Sequence, residues 1–145
     1  LEVSGPVQGI HVWWSLPRYH SEINGLLSHP KAMARDLGRY WSRLSYPLLL
    51  LAGSAAQWRS QNGPITLFTD RVGAEALRQL GMLDLWDEVN EDTLESIDPK
   101  EISPSQHWAA AKFVAYQAME GPFAVLDTDL IVWQSLADKL KGLDI

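Results

Sequence analysis

The stretch Pro122-Phe-Ala-Val-Leu-Asp-Thr-Asp-Leu-Ile-Val-Trp133 places two aspartates directly after four apolar residues. Phe123 to Leu126 are predicted to form a short buried strand that ends at Asp127. Carboxylates beside a buried strand are costly unless compensated, and two this close repel each other unless a cation or a shared proton lies between them. Because Mg²⁺ and Mn²⁺ prefer oxygen ligands, the stretch predicts a metal site built from Asp127 and Asp129.

Elsewhere in the chain, short apolar runs alternate with segments in which apolar residues recur at helical spacing. The predicted strands cover residues 8–14, 65–69, 88–90 and 123–126, with an extended run over 130–133. The predicted helices cover residues 30–44, a second helix that Ser45 caps and that runs through Leu48 to about Trp58, residues 71–80, a stretch from the Ser103–Gln106 capping box to Gly121, and 135–140. Connections long enough for a helix separate the strands, which is typical of parallel sheets. We therefore predict one α/β domain over residues 1–145, with a Rossmann-like, mostly parallel sheet and helices on both faces.

Composition limits the classes of partner. A chain of 145 residues that is 46% apolar and 21% charged suits one globular domain. Its formal net charge of -6 argues against broad, charge-driven nucleic-acid binding, which needs a basic face. The absence of cysteine from the sequence excludes disulfides and thiolate metal sites.

The sequence shows no pattern typical of a membrane protein. Its longest apolar run, over residues 47–56, is interrupted by Gly53 and Ser54. It falls short of the ~18 residues that a membrane span needs. No secretory signal pattern is visible at the N-terminus, so a cytoplasmic location without a transmembrane segment is expected. Because the first residue is Leu1 and not methionine, a processed or trimmed chain is expected.

Polar side chains are predicted to converge at one edge of the sheet. In open α/β sheets, ligands bind outside the carboxyl ends of the strands. Trp14, Ser15 and Arg18 follow the first predicted strand, and Asp70 follows the second. With Asp127 to Asp129 after the last strand, these residues form the candidate binding site.

Several common site motifs are absent from the sequence. It contains no dinucleotide-binding Gly-x-Gly-x-x-Gly after the first strand, no P-loop and no Gly-x-Ser-x-Gly elbow. The four histidines do not have the spacing of a zinc site. His11 lies inside a strand pattern, which favours a structural role over a catalytic one.

Three segments together resemble a known family. They are Trp108-Ala-Ala-Ala-Lys-Phe-Val-Ala-Tyr116, Gly121-Pro-Phe-Ala-Val-Leu-Asp-Thr-Asp-Leu-Ile-Val-Trp133 and Ser135-Leu-Ala-Asp138. This order of a lysine-bearing helix, a strand, Asp-x-Asp, an apolar run and a short helix resembles the core of GT-A-type glycosyltransferases. The likeness is nearest to glycogenin-like and bacterial capsule or lipopolysaccharide sugar transferases.

The resemblance implies a nucleotide-diphosphate-sugar donor, either a UDP-sugar or a GDP-sugar. Asp129 would bind Mn²⁺ or Mg²⁺ directly, and Asp127 would contact the metal or the ribose. Lys112 would lie near the donor sugar or its phosphates. By position, Trp14, Ser15 and Asp70 are candidates for the base and ribose.

The resemblance also implies a second half of the enzyme. Such transferases continue with a part that binds the acceptor, which here would be a saccharide, a lipid or a protein. The sequence ends at Ile145, soon after the aspartates. The chain is therefore expected to be the nucleotide-sugar-binding part of a longer glycosyltransferase.

Other interpretations remain open at this point. Asp-x-Asp also ends a strand in haloacid dehalogenase-type phosphatases, where the first aspartate is a nucleophile. That family has Thr or Val two places after the second aspartate, where this chain has Ile131, and carries the motif near its N-terminus. In a non-catalytic α/β binding domain, the two aspartates would only cap a turn. Lys112 would then be a solvated helix lysine and Asp70 a simple helix cap.

Overall fold

The computed structural model describes residues 6–15, 45–98, 100–103, 106–107, 109–136 and 139. Within these ranges the elements follow one another as β1 (Gln8–Trp13), α1 (Ser45–Gln61), β2 (Ile65–Thr69), α2 (Arg71–Gln79), β3 (Glu88–Asn90), α3 (Ala110–Gln117) and β4 (Phe123–Leu126). Short 3₁₀ turns cover Leu83–Leu85 and Thr93–Ser96. The helix predicted over residues 30–44, and Arg18, lie outside the described residues.

The four described strands form one parallel sheet in the order β3-β2-β1-β4. Strand β1 is central, with His11 in register with Leu67 of β2 on one side and with Leu126 of β4 on the other. All the pairings are parallel. The α/β class with a Rossmann-like parallel sheet is confirmed.

Side chains that alternate along β1 feed two apolar cores, one on each face of the sheet. Ile10 and Val12 join one core with Phe68, and α3 and the 3₁₀ turn at residues 93–96 cover it. Trp13 belongs to the other core, which α1 and α2 cover. Because strand residues alternate between faces, this division places helices on both sides of the sheet, as predicted.

Helix α1 is longer than its sequence pattern predicts. It extends from Ser45 to Gln61, about one turn beyond the predicted end at Trp58. Pro47 lies in its first turn, where a missing backbone N–H costs nothing, so the proline is compatible with this helix. Leu51, Ala55 and Trp58 face the core and are fully or almost fully buried.

Helix α2 has the two ends that the sequence predicts. Asp70 precedes it and accepts the backbone N–H of Gly73 at 3.0 Å, which satisfies one of the helix's unpaired donors. Gly81 follows it with φ of 66°, a left-handed conformation that glycine adopts without strain.

The described helix α3 is shorter than the helix predicted from the Ser103–Gln106 capping box, and residues 104, 105 and 108 of that prediction lie outside the described residues. The carbonyl oxygen of Ser103 accepts the N–H groups of Gln106 at 3.1 Å and of His107 at 2.8 Å. The helix begins only at Ala110, and its N-cap residue Ala109 offers no side-chain acceptor.

Candidate functional site at the carboxyl edge of the sheet

The Asp127–Leu130 segment forms a tight turn, here called the acidic turn. The N–H of Leu130 donates to the carbonyl oxygen of Asp127 at 2.9 Å, so Thr128 and Asp129 occupy the central positions. Both aspartates are exposed to solvent. The turn thus projects two carboxylates from the end of β4 at the edge where parallel sheets bind ligands.

Lys112 reaches this turn from α3. Its ammonium forms an ion pair with Oδ1 of Asp127. The lysine side chain is only 19% exposed, whereas that of Asp127 is 61% exposed. The stem of Lys112 is therefore packed while its charged end meets the carboxylate at the surface.

The acidic turn fits part of a metal coordination shell. Among the described residues, no group of three or more His, Cys, Asp or Glu side chains is arranged to hold a metal ion. Asp127 and Asp129 supply hard oxygen ligands, and Mg²⁺ is commonly bound by one or two carboxylates together with substrate phosphates and water. The residues present therefore fit an ion that a phosphate-bearing ligand helps to hold.

Ser15 and Asp70 are joined at the ends of β1 and β2. The Ser15 hydroxyl donates to Oδ2 of Asp70, and the Ser15 backbone N–H donates to Oδ1 at 3.3 Å. Thr69 Oγ1 also donates to the carbonyl oxygen of Trp13 at 2.7 Å. These bonds fix the end of β1 against the end of β2.

Asp70 is a buried carboxyl with several donors around it. Burial raises its pKa above the ordinary value, while the bonds from Ser15 and Gly73 act in the opposite direction. Its oxygens are occupied by groups of its own fold. The structure thus places Asp70 as a helix cap that also holds Ser15.

The tryptophans divide between core and surface. Trp13, Trp58 and Trp86 are buried. Trp14 is half-buried and packs against the core that contains Ile10 and Val12. Trp133, just beyond the acidic turn, is 70% exposed.

Helix α1 supports the segment that leaves the acidic turn. Ser54 donates its hydroxyl to the carbonyl oxygen of Leu130. Past the end of α1, the Asn62 side chain accepts the N–H of Leu136 at 2.6 Å and donates to the Gln134 carbonyl at 3.4 Å. Residues 130–136 are thus held along α1.

A series of hydrogen bonds starts at Trp86, directly after the 3₁₀ turn at Leu83–Leu85, and ends at the acidic turn. Trp86 donates its indole N–H to Nδ1 of His11 at 3.1 Å, and Nε2 of His11 lies 2.9 Å from the Ser54 hydroxyl. His11 is fully buried, and burial lowers its pKa to about 4. The structural role predicted for His11 agrees with this placement.

Ser54 and Trp86 were not predicted from the sequence as hydrogen-bond partners of His11. The available signal was a histidine inside an apolar strand, which needs buried polar partners. Ser54 interrupts the buried face of α1 between Leu51 and Ala55, and this too is a signal. His11 and Ser54 are 43 residues apart in the sequence, so no local motif joins them.

Among the residues that the structure describes, no helix is both long and apolar enough to cross a membrane. Neither the curated proteins nor the solved structures give a match to this chain. One family model, described as a family of unknown function (DUF6734), matches residues 9–145 and thus spans nearly the whole sequence. The chain belongs to the DUF6734 family.

Proposed function

We propose that this chain is the donor- and metal-binding part of a metal-dependent glycosyltransferase that uses a nucleotide-diphosphate sugar. One arrangement carries the proposal: two exposed aspartates on a tight turn after β4, the first of them paired with Lys112. Both lie at the edge of the sheet where α/β proteins bind ligands. The likeness of the Asp127–Asp129 motif and its flanking segments to GT-A-type transferases supports the same function.

In this proposal the acidic turn holds Mn²⁺ or Mg²⁺. Asp129 binds the ion directly, and Asp127 binds the ion or the ribose. Such an ion neutralises the charge that develops on the diphosphate as the sugar leaves. The net charge of -6 does not oppose an anionic donor, because a bound cation reverses the local field.

Lys112 has two partners in the proposed cycle. Without donor, its ammonium neutralises Asp127. If a metal bound that carboxylate, the ammonium would be available to the diphosphate oxygens or the sugar. The lysine would therefore exchange one anion for another without losing a charge partner.

The base and ribose are assigned to the end of β1. Ser15 and Trp14 follow that strand, and Asp70 holds Ser15 by accepting both its N–H and its hydroxyl. We assign Asp70 a supporting role there, since its oxygens already serve Ser15 and Gly73. A cytoplasmic location belongs to the proposal, because a chain without cysteine suits a reducing compartment.

Calorimetric titration of UDP and GDP, with and without Mn²⁺, tests the proposal. We expect one nucleotide to bind in the presence of Mn²⁺ and to lose at least about tenfold in affinity without it. Asp129→Ala should abolish the metal dependence. Asp84→Ala is the matched control, because Asp84 is also an exposed aspartate and belongs to a 3₁₀ turn away from the acidic turn.

Two results would contradict the proposal. One is nucleotide binding of equal strength with and without metal. The other is release of phosphate from an aryl phosphate in Mg²⁺ that Asp127→Asn abolishes, since this would identify Asp127 as the nucleophile of a phosphatase.

A further inference from the structure

The hydrogen bonds around His11 have one consistent direction. Indole Nε1 of Trp86 can only donate, so Nδ1 of His11 must accept. A neutral imidazole then carries its proton on Nε2 and donates to Ser54. The Ser54 hydroxyl is left to donate its own proton to the carbonyl oxygen of Leu130. The hydrogen bonds thus run from Trp86 to His11, from His11 to Ser54 and from Ser54 to Leu130.

Leu130 is fixed at both of its peptide groups. Its N–H closes the acidic turn on Asp127 at 2.9 Å, and its carbonyl oxygen accepts the Ser54 hydroxyl. The two bonds lie on either side of one residue, directly after Asp129. Rotation of the turn about its exit therefore requires breaking a bond to a side chain that is 1% exposed.

We propose that His11 and Ser54 are positioning residues for the acidic turn and thereby set the affinity of Asp127 and Asp129 for a divalent cation. The metal part of this inference rests on the proposed function, while the positioning of the turn does not. His11 lies in β1, which has a neighbouring strand on each side in the described sheet. The turn is thus linked by hydrogen bonds to a strand inside the sheet.

Substitution of Ser54 is the direct test. Ser54→Ala removes the donor to Leu130 with little change in volume. In the ¹⁵N-labelled full chain, we expect the Leu130 amide to exchange its hydrogen about tenfold faster, the factor that one lost hydrogen bond corresponds to. Mn²⁺ affinity, measured by calorimetry, should fall about three- to tenfold while the stoichiometry stays unchanged.

Three further variants separate positioning from general destabilisation. Ser60→Ala is the matched control, since Ser60 lies on the same helix and its hydroxyl also donates to a carbonyl, that of Gln57 at 2.9 Å. It should change neither readout. Trp86→Phe should lower the melting temperature but accelerate Leu130 exchange by less than about threefold, since the imidazole can still donate to Ser54. Ser54→Cys keeps a weak donor, so its Leu130 exchange rate and its Mn²⁺ affinity should lie between those of the wild type and of Ser54→Ala.

The outcomes are distinguishable. The positioning role would be overturned if Ser54→Ala left the Leu130 exchange rate unchanged. It would also be overturned if the rate rose only in proportion to the loss of global stability, as expected for Trp86→Phe. Faster Leu130 exchange in a chain whose wild type binds no Mn²⁺ would support the positioning of the turn and overturn the proposed metal-dependent function.

Discussion

Trp86 donates its indole N–H to Nδ1 of His11 at 3.1 Å, and the two rings meet edge to face with centroids 6.2 Å apart. A protonated imidazole would carry a hydrogen on Nδ1, which would then face the indole N–H. The neutral form is therefore built into the packing of β1. This agrees with the pKa of about 4 that burial gives His11.

The first prediction concerns the pH dependence of stability. The pKa of His11 falls from 6.5 in the unfolded chain to about 4 in the folded one. Protonation thus opposes folding: the penalty is absent above pH 6.5, grows as the pH falls, and is complete below about 4. By linkage the full difference is about 3 kcal/mol in the free energy of unfolding.

Urea unfolding of wild type and His11→Gln at pH 7.5 and 4.5 checks this. At pH 7.5 the variant should be about 1–3 kcal/mol less stable, since buried polar partners lose a bond. The gap should shrink by about 2 kcal/mol at pH 4.5. His107→Gln, at an exposed site, serves as control and should keep the wild-type slope. A constant gap between wild type and His11→Gln would contradict the prediction.

The second prediction concerns Asp70 as a shared acceptor. Asp70→Ala removes the cap of α2 and leaves the Ser15 hydroxyl without this acceptor. We expect a loss of about 2 kcal/mol in the free energy of unfolding at pH 7. Asp70→Asn keeps one oxygen acceptor and no longer buries a charge, so it should cost less. Chemical denaturation of both variants decides this, and equal losses would count against the shared-acceptor arrangement.

The fold could be predicted from the sequence where a local pattern determined the structure. The alternation of strands and helices gave the parallel sheet, and Asp70 before an amphipathic run gave the cap of α2. The start of α3 could not be predicted in this way. The same Ser-x-x-Gln pattern fits an isolated turn and a helix start, so this local pattern does not determine that the described helix begins at Ala110.

Part of the candidate site could likewise be predicted from the sequence, and part could not. The sequence places Asp127 and Asp129 after a strand, and parallel topology brings them to the ligand-binding edge. The pairing of Lys112 with Asp127 depends on how α3 lies over β4, which no periodicity determines. The hydrogen bonds from Trp86 through His11 to Ser54 join a loop residue to β1 and α1, and the first of them spans 75 residues.

The third prediction tests the exchange of partners at Lys112. Lys112→Met keeps an apolar stem and removes the charge that neutralises Asp127. In the absence of nucleotide, Mn²⁺ should bind about three- to tenfold more tightly, because the ion no longer competes with an ammonium. In the presence of Mn²⁺, the nucleoside diphosphate should bind about tenfold more weakly.

Calorimetry measures both affinities, and Lys100→Met is the control at an exposed lysine on a different segment. If Lys112→Met binds Mn²⁺ more tightly and the nucleotide more weakly, then Lys112 pairs with Asp127 in the absence of nucleotide and with the nucleotide when it is bound. Weaker Mn²⁺ binding in Lys112→Met would show that the lysine supports the metal site and does not compete with the ion.

The last prediction compares two glycines, one at a close approach and one with space around it. A Cβ on Gly9 would lie 2.5 Å from Nε1 of Trp58, a buried ring whose N–H donates to the Pro64 carbonyl at 3.2 Å. The ring cannot move away without losing that bond. Gly9→Ala should therefore lower the free energy of unfolding by about 1–3 kcal/mol.

Gly53→Ala is the matched comparison inside α1. The nearest atom to its added Cβ is Cδ1 of Ile131 at 3.5 Å, an ordinary van der Waals contact. Because alanine restricts the unfolded chain and favours helix, the variant should gain about 0.5–1 kcal/mol. Urea unfolding of both variants at pH 7.5 gives the two signs. A loss of stability in Gly53→Ala would mean that residues 130–136 lie closer to α1 than an alanine permits.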